Sequence, residues 1–303
     1  GKDQVAFCGY HGWHDWYLAA NLGATSALDG HLLPGLQPTG VPRELAGSTL
    51  TFRYNDREEF ERLLSAHGRE LAAVVMEPCR NADPAPGFLA RVREMTQQCG
   101  ALWIVDEITA GFRMAFGGAH LNYGVEPDLA VFGKTMGNGH PMAAVIGTPE
   151  AMAGAEESFI SSTFWTESVG PAAALAALRK MEQVNVPAHV ARIGAAVQAL
   201  WREAGARHGL PVKAGGFPCL AHFRFEHPQT DVLRTLYTQE MLARGFLAGA
   251  AFYPALAHTE AVVGRFAAAL DEAFAAVAAA LRSGTPERAL RGPVAHSGFR
   301  RLN

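Results

Sequence analysis

Lys134 is one of four lysines among the 26 Lys and Arg residues of this 303-residue chain, and its surroundings set it apart. It ends the run Leu129-Ala-Val-Phe-Gly-Lys134 and opens Thr-Met-Gly-Asn-Gly139, between a strand-like apolar segment and a Gly-rich turn. A lysine at the mouth of a sheet, with few waters around it, loses part of its preference for the charged form. Its amine is then a credible nucleophile toward a carbonyl carbon. The plain alternative is a surface lysine that follows a strand. Two carboxylates stand in the same relation to other apolar runs: Glu77 follows Ala72–Met76, and Asp106 follows Leu102–Val105. A lysine and a carboxylate so placed serve either as an ion pair or as a site for amine chemistry.

Those residues need a scaffold that brings strand ends together. The first half of the chain alternates short apolar runs with helical patterns. Val5–Cys8, Thr49–Phe52, Ala72–Met76, Leu102–Val105, Leu129–Phe132 and Ala143–Ile146 read as strands, and Asp56–His67 and Phe88–Cys99 as amphipathic helices. Such βαβ alternation predicts a mostly parallel sheet with helices on both faces. In open sheets of this kind the rim at the C-terminal strand ends is where ligands bind. Helical periodicity then dominates at Pro171–Gln183, Ala188–His208, Asp231–Arg244 and Glu260–Leu281, interrupted by Gly215-Gly-Phe-Pro218 and a strand-like Cys219–Phe225. The chain therefore reads as a large α/β domain, 1–170, followed by a linking helix and a smaller α+β domain, 171–303.

Composition narrows the function classes. A net charge of -3 with scattered basic residues predicts no nucleic-acid partner. No apolar run reaches the roughly 20 residues that a membrane span needs. Cys8, Cys79, Cys99 and Cys219 lack metal-site spacing and read as free thiols in a reducing, cytoplasmic setting. No metal is expected.

A lysine amine with an acidic partner on a neighbouring strand is what pyridoxal phosphate needs. The lysine takes the cofactor's carbonyl, and an ionised acid keeps the pyridine nitrogen protonated. Asp106, in Leu102-Trp-Ile-Val-Asp106-Glu107-Ile-Thr-Ala-Gly-Phe, fits the second role. Five stretches carry a resemblance to a known family. They are Phe7-Cys-Gly-Tyr10-His11-Gly-Trp-His-Asp15, Val75-Met-Glu77-Pro78, Val105-Asp106-Glu107-Ile108-Thr-Ala-Gly-Phe-Arg113, Val131-Phe-Gly-Lys134-Thr-Met-Gly-Asn-Gly139 and Ser161-Ser-Thr163-Phe. In type and order they resemble the class III (ornithine-type) pyridoxal-phosphate-dependent aminotransferases, nearest the glutamate-1-semialdehyde 2,1-aminomutase-like branch.

The resemblance implies an α/β chain of fold type I of the pyridoxal-phosphate-dependent transferases. Its mostly parallel, seven-stranded-type sheet is incomplete here, and a smaller C-terminal α+β domain follows. It implies an aminotransferase or aminomutase moving an amino group on a small amino acid or amino ketone. Lys134 would hold the cofactor as an aldimine and, once freed, carry a proton. Asp106 would pair with the ring nitrogen. Tyr10 would stack on one face of the ring and Ile108 on the other, with core packing as the alternative for each. His11 would lie beside the ring or cap a turn. Glu77 would join the polar network near the ring hydroxyl or be a buried structural acid. Thr163 would bind the phosphate of the other subunit's cofactor, which implies a homodimer with shared active sites.

The sequence departs from the family pattern at three places. After Thr163-Phe164 it reads Trp-Thr-Glu-Ser168, and the loop Cys79-Arg-Asn-Ala-Asp-Pro-Ala-Pro-Gly87 lacks a Gly-Glu-Gly run. Arg80 and Glu167, in these two segments, are candidates for substrate contacts or surface residues. Nothing before Tyr10 matches the family's Gly-Ser/Thr-x-Ala phosphate loop. The expectation is an N-terminally truncated chain, with a catalytically incompetent fragment or degenerate homologue as the alternative.

Overall fold

In the computed structural model, residues 1–24, 26–31, 34–79 and 81–296 are described. The chain divides into two compact units, the first running from Gly1 to Gln183 and the second starting at Val184.

The first unit is built on six strands: β1 Gln4–Cys8, β2 Thr49–Thr51, β3 Leu71–Met76, β4 Leu102–Asp106, β5 Leu129–Phe132 and β6 Ala144–Gly147. Their order across the sheet is β2-β1-β3-β4-β5-β6. The first five are parallel, and β6 runs antiparallel to β5. The helices are α1 Asp15–Leu18, α2 Ala20–Gly23, α3 Arg57–His67, α4 Phe88–Gln98, α5 Pro149–Glu156 and α6 Val169–Val184. Alternation along the central strands explains the two-sided core. Val74 and Met76 pack on one face with Trp103, Val105, Phe60 and Phe88. Val75, between them, packs on the other face with Phe7, Tyr17 and Leu36. A one-residue slip would turn every one of these side chains to the wrong face, so the register is strongly specified.

The second unit comprises α7 Val186–His208, β7 Val212–Gly215, β8 Ala221–Phe225, α8 Thr230–Ala243, β9 Ala251–Phe252 and α9 Glu260–Arg282. Its three strands form an antiparallel sheet in the order β7-β8-β9. Trp201, Phe223, Phe225, Tyr237 and Phe274 fill its core. The Pro- and Arg-rich stretch after Gly284 is mostly exposed, but it is tied to α8: Gln239 Nε2 donates to the Ala289 carbonyl and Arg234 to that of Ala295.

The strands expected from the sequence are present with ends shifted by a residue or two. The segment that reads as Cys219–Phe225 is split, because Pro218–Leu220 forms a 3-10 turn before β8.

Candidate active site

Parallel strands end on the same edge, and the register here aligns their ends closely. Cys8 of β1 lies opposite Met76 of β3, Met76 opposite Val105 of β4, and Asp106 opposite Val131 of β5. The residues that follow are therefore neighbours on one rim. They are Tyr10 and His11 after β1, Glu77 after β3, Asp106 closing β4, and Lys134 three positions beyond Val131.

Asp106 is the best-held of these. Its side chain is 11% exposed. His11 Nδ1 lies 2.8 Å from Oδ2, and the backbone N–H of Ile108 donates to Oδ1 at 3.0 Å. The other ring nitrogen of His11 donates to the Cys8 carbonyl at 3.0 Å. A carbonyl only accepts, so this contact orients the ring and ties β1 to the carboxylate of β4. The His11 side chain is 3% exposed and meets Phe7 edge-on. Oδ1, which accepts from the Ile108 N–H, keeps a second lone pair for one further N–H.

Tyr10 is half-buried between Trp13 and Tyr17, with ring centroids 5.4 and 5.5 Å away in edge contacts. Burial raises its phenol above the ordinary value, so it stays neutral around pH 7. Glu77 is buried at the end of β3. The loop that follows is tied down at several points. Tyr54 donates to the Pro78 carbonyl at 2.9 Å, Tyr123 to Asp83 at 2.9 Å, and the Ala85 N–H to Asn55 at 2.8 Å. Burial pushes both phenols up, which keeps them in the donating form. Arg80 lies outside the described residues.

Lys134 opens a 3-10 turn, Lys134–Met136, with φ at +42°. That left-handed backbone is uncommon for a residue with a Cβ. The turn holds it there: the Lys134 carbonyl accepts from Gly137 and Asn138 at 3.1 Å each. Ile108 lies against the residue before it, for a Cβ built on Gly133 would meet Ile108 methyl and methylene carbons at 3.6 and 3.7 Å. Lys134 Nζ donates to Thr109 Oγ1 at 2.8 Å. The expectation that few waters surround this lysine is corrected. Lys134 is exposed, because its side chain starts from a turn beyond the end of β5 rather than from the strand.

Thr163 stands apart. It lies in an exposed segment between α5 and α6, and among the described residues nothing joins it to the strand-end group. Glu167 accepts from the N–H groups of Val169 and Gly170 at 2.6 and 3.2 Å, so its carboxylate serves the start of α6.

The sequence reading passed over three residues. Thr109 carries no marker beyond its place near Asp106. Glu107 is buried, and its carboxylate accepts from the Ala119 and His120 N–H groups at 2.8 and 2.9 Å, with His120 Nδ1 at 2.7 Å. No periodic pattern links residues 13 positions apart across an irregular loop. Among the described residues no group of three or more His, Cys, Asp or Glu is arranged to hold a metal ion.

The donor set on the rim fits one kind of cofactor at its reactive end: an amine for a carbonyl, a buried carboxylate for a ring nitrogen, and an aromatic face. The family comparison decides the lineage, since the profile described as aminotransferase class-III matches residues 7–245. The chain belongs to the class-III aminotransferase family. Among curated relatives of this class-III aminotransferase chain is the 3-aminobutyryl-CoA aminotransferase of Cloacimonas acidaminovorans. It is 33% identical over 250 residues, which cover 79% of this chain and 55% of the relative. The glutamate-1-semialdehyde 2,1-aminomutase of Pelotomaculum thermopropionicum is 32% identical over 290 residues, 88% of this chain and 65% of that protein. The class-III chain thus spans between about half and two thirds of these relatives' length. Among solved structures, the FumI protein of Sphingopyxis sp. MTA144, in its PLP internal aldimine form, superposes with a TM-score of 0.82 at 26% identity. That match covers 95% of this chain and 68% of FumI. The fold is that of the type I pyridoxal-phosphate-dependent transferases.

Proposed function

We propose that this chain carries the lysine and ring-nitrogen side of a pyridoxal-phosphate site that moves an amino group on a small amino acid or amino ketone. The observation that carries the reading is the alignment of four parallel strand ends. It places Lys134, Asp106, His11 and Tyr10 on one rim, with Asp106 clamped between His11 and the Ile108 N–H. Pyridoxal phosphate, when bound, supplies an electron sink conjugated to the substrate carbon that loses its proton.

The chain's own residues do the rest. Lys134 Nζ would be the amine that takes the cofactor's carbonyl and, once free, would carry a proton to and from carbon. Asp106 would hold a proton on the cofactor's ring nitrogen. His11 keeps the carboxylate from rotating. Tyr10 presents an aromatic face, and Ile108 lies beside Gly133 to limit the other side. Glu77 contributes a buried carboxylate at the next strand end.

The partner reading follows from the segment that bears Thr163. Phe159, Phe164 and Trp165 are 98, 77 and 66% exposed there, an apolar run of the kind that marks an association surface. It supports a homodimer in which Thr163 reaches the phosphate end of the other subunit's site. Among the described residues no helix is long and apolar enough to cross a membrane. Cys8, Cys79, Cys99 and Cys219 form no disulfide with one another, which fits a cytoplasmic location.

Adding pyridoxal phosphate, reducing with borohydride and mapping the peptides by mass tests the core of the proposal. The expected outcome is one reduced pyridoxyl group on Lys134. A label on Lys2, Lys180 or Lys213 instead would reassign the amine. No label at all would favour the catalytically incompetent reading.

A further inference from the structure

We propose that Thr109 is a positioning residue that parks the Lys134 amine for attack on the cofactor's carbonyl; this rests on the reading of Lys134 given above. Lysine has four rotatable side-chain bonds, so a fixed backbone alone leaves its tip free to sweep a wide volume. In this chain both ends of the side chain are held. At the base, φ of +42° and the two hydrogen bonds to the Lys134 carbonyl fix the direction in which the side chain leaves. At the tip, Nζ donates to Thr109 Oγ1 at 2.8 Å.

Thr109 is itself well anchored. Its β-branched side chain has few rotamers open to it. The loop that bears it is closed on both sides. The Glu107 N–H donates to the Val131 carbonyl at 2.8 Å, and the Glu107 carbonyl accepts from Gly111 at 2.8 Å. The buried Glu107 carboxylate fastens Ala119 and His120 beneath the loop. Gly118 permits that closeness, because a Cβ there would collide with the His120 ring. The hydroxyl therefore sits on a fixed support within reach of Lys134 Nζ.

The type of partner matters as much as its place. A carboxylate at this distance would favour the ammonium form and withhold the lone pair that attack requires. A hydroxyl has one proton to give and two lone pairs. It accepts from the ammonium, and it donates to the neutral amine by a rotation of its own proton. Thr109 can thus hold Nζ in either protonation state. It can also receive the amine again each time the lysine is freed.

The test compares Thr109→Ser, which keeps the hydroxyl, with Thr109→Val, which keeps the shape. The first readout is the rate at which pyridoxal phosphate becomes borohydride-trappable on Lys134. The second is the rate at which trinitrobenzenesulfonate labels Lys134 with no cofactor added. Thr109→Ser should stay within about twofold of the parent chain, while Thr109→Val should slow cofactor capture by roughly five- to tenfold, the size expected for one ordinary hydrogen bond. The melting midpoint should stay unchanged. Trinitrobenzenesulfonate labelling should change with Val and not with Ser. Equal rates for Val and the parent chain would overturn the proposal, as would a Ser variant as slow as Val. Should the Val variant fail to fold, Thr109→Ala against Thr109→Ser makes the same comparison, and equal rates for those two are fatal to it. If pyridoxal phosphate never labels Lys134 even in the parent chain, the functional reading fails. The trinitrobenzenesulfonate arm then still decides whether Thr109 governs the amine.

Discussion

Asp106 is a carboxyl side chain held at both oxygens in a buried place. It is buried at the end of β4, yet its two oxygens face His11 and the Ile108 N–H. A buried carboxyl group without such partners would leave polar atoms unsatisfied. On the proposed reading, Asp106→Asn keeps the shape and takes the acidic partner from the ring nitrogen while Lys134 is untouched. We expect Lys134 still to be trapped by borohydride in this variant. Turnover with an amino donor should fall by about 10²- to 10⁴-fold, the span associated with removing a positioned proton-holding group. Single-turnover kinetics at saturating cofactor measure it. A loss under tenfold would take Asp106 out of that role. The contrast with Lys134 is instructive, because the lysine is exposed and relies on geometry. Its strained φ and its hydroxyl partner locate it, while burial locates Asp106.

Among elements, α7 has an unusually close approach to a neighbour. Gly194 lies in the middle of that helix, where glycine ordinarily costs about 1 kcal/mol relative to alanine. A Cβ at Gly194 would run into the Pro218 carbonyl of the 3-10 turn ahead of β8. Gly194→Ala therefore pits a propensity gain against a backbone collision that only a shift of α7 can relieve. Overpacking of this kind costs about 1–3 kcal/mol, so the variant should be less stable in urea titrations despite its better helix former. Gly264 in α9 is the control. A Cβ there meets nothing within 4 Å, and Gly264→Ala should stabilise by about 0.5–1 kcal/mol. If both variants moved the same way, the close approach would not be real.

The same comparison shows what a sequence can carry at this scale. Leu71–Met76 and Leu129–Phe132 are legible as strands because apolar, β-branched runs between turn signals have few other uses. The one-turn helices Asp15–Leu18 and Ala20–Gly23 are too short to show periodicity. The two-residue β9 offers no alternation at all. That β6 runs antiparallel is invisible locally, since orientation is set by which edge the chain returns to. At the site, Asp106 and Lys134 were legible because each closes an apolar run. Thr109 and the Glu107–His120 clamp were not, because they depend on how an irregular loop folds back.

At the scale of the whole molecule, the proposed site draws on two chains. Thr163 sits in an exposed apolar segment with nothing joining it to the rim among the described residues. On the proposed reading Thr163 meets a phosphate there only when a second copy brings its own rim against it. This predicts complementation. In a Lys134→Ala homodimer both sites lack the amine, and in a Thr163→Ala homodimer both lack the hydroxyl. A mixed dimer of two-fold symmetry places both lesions in one site and leaves the other intact. Mixing the two variants under conditions that exchange subunits should restore about a quarter of parental turnover. Half of the dimers are then mixed, and each has one sound site of two. The Thr163→Ala variant alone should need more pyridoxal phosphate for half-saturation. Recovery that disappears when Phe164 and Trp165 are changed to serine would tie the effect to this surface. If mixing restores nothing although each variant is folded and impaired, the site is made within one chain and Thr163 does not act across the interface.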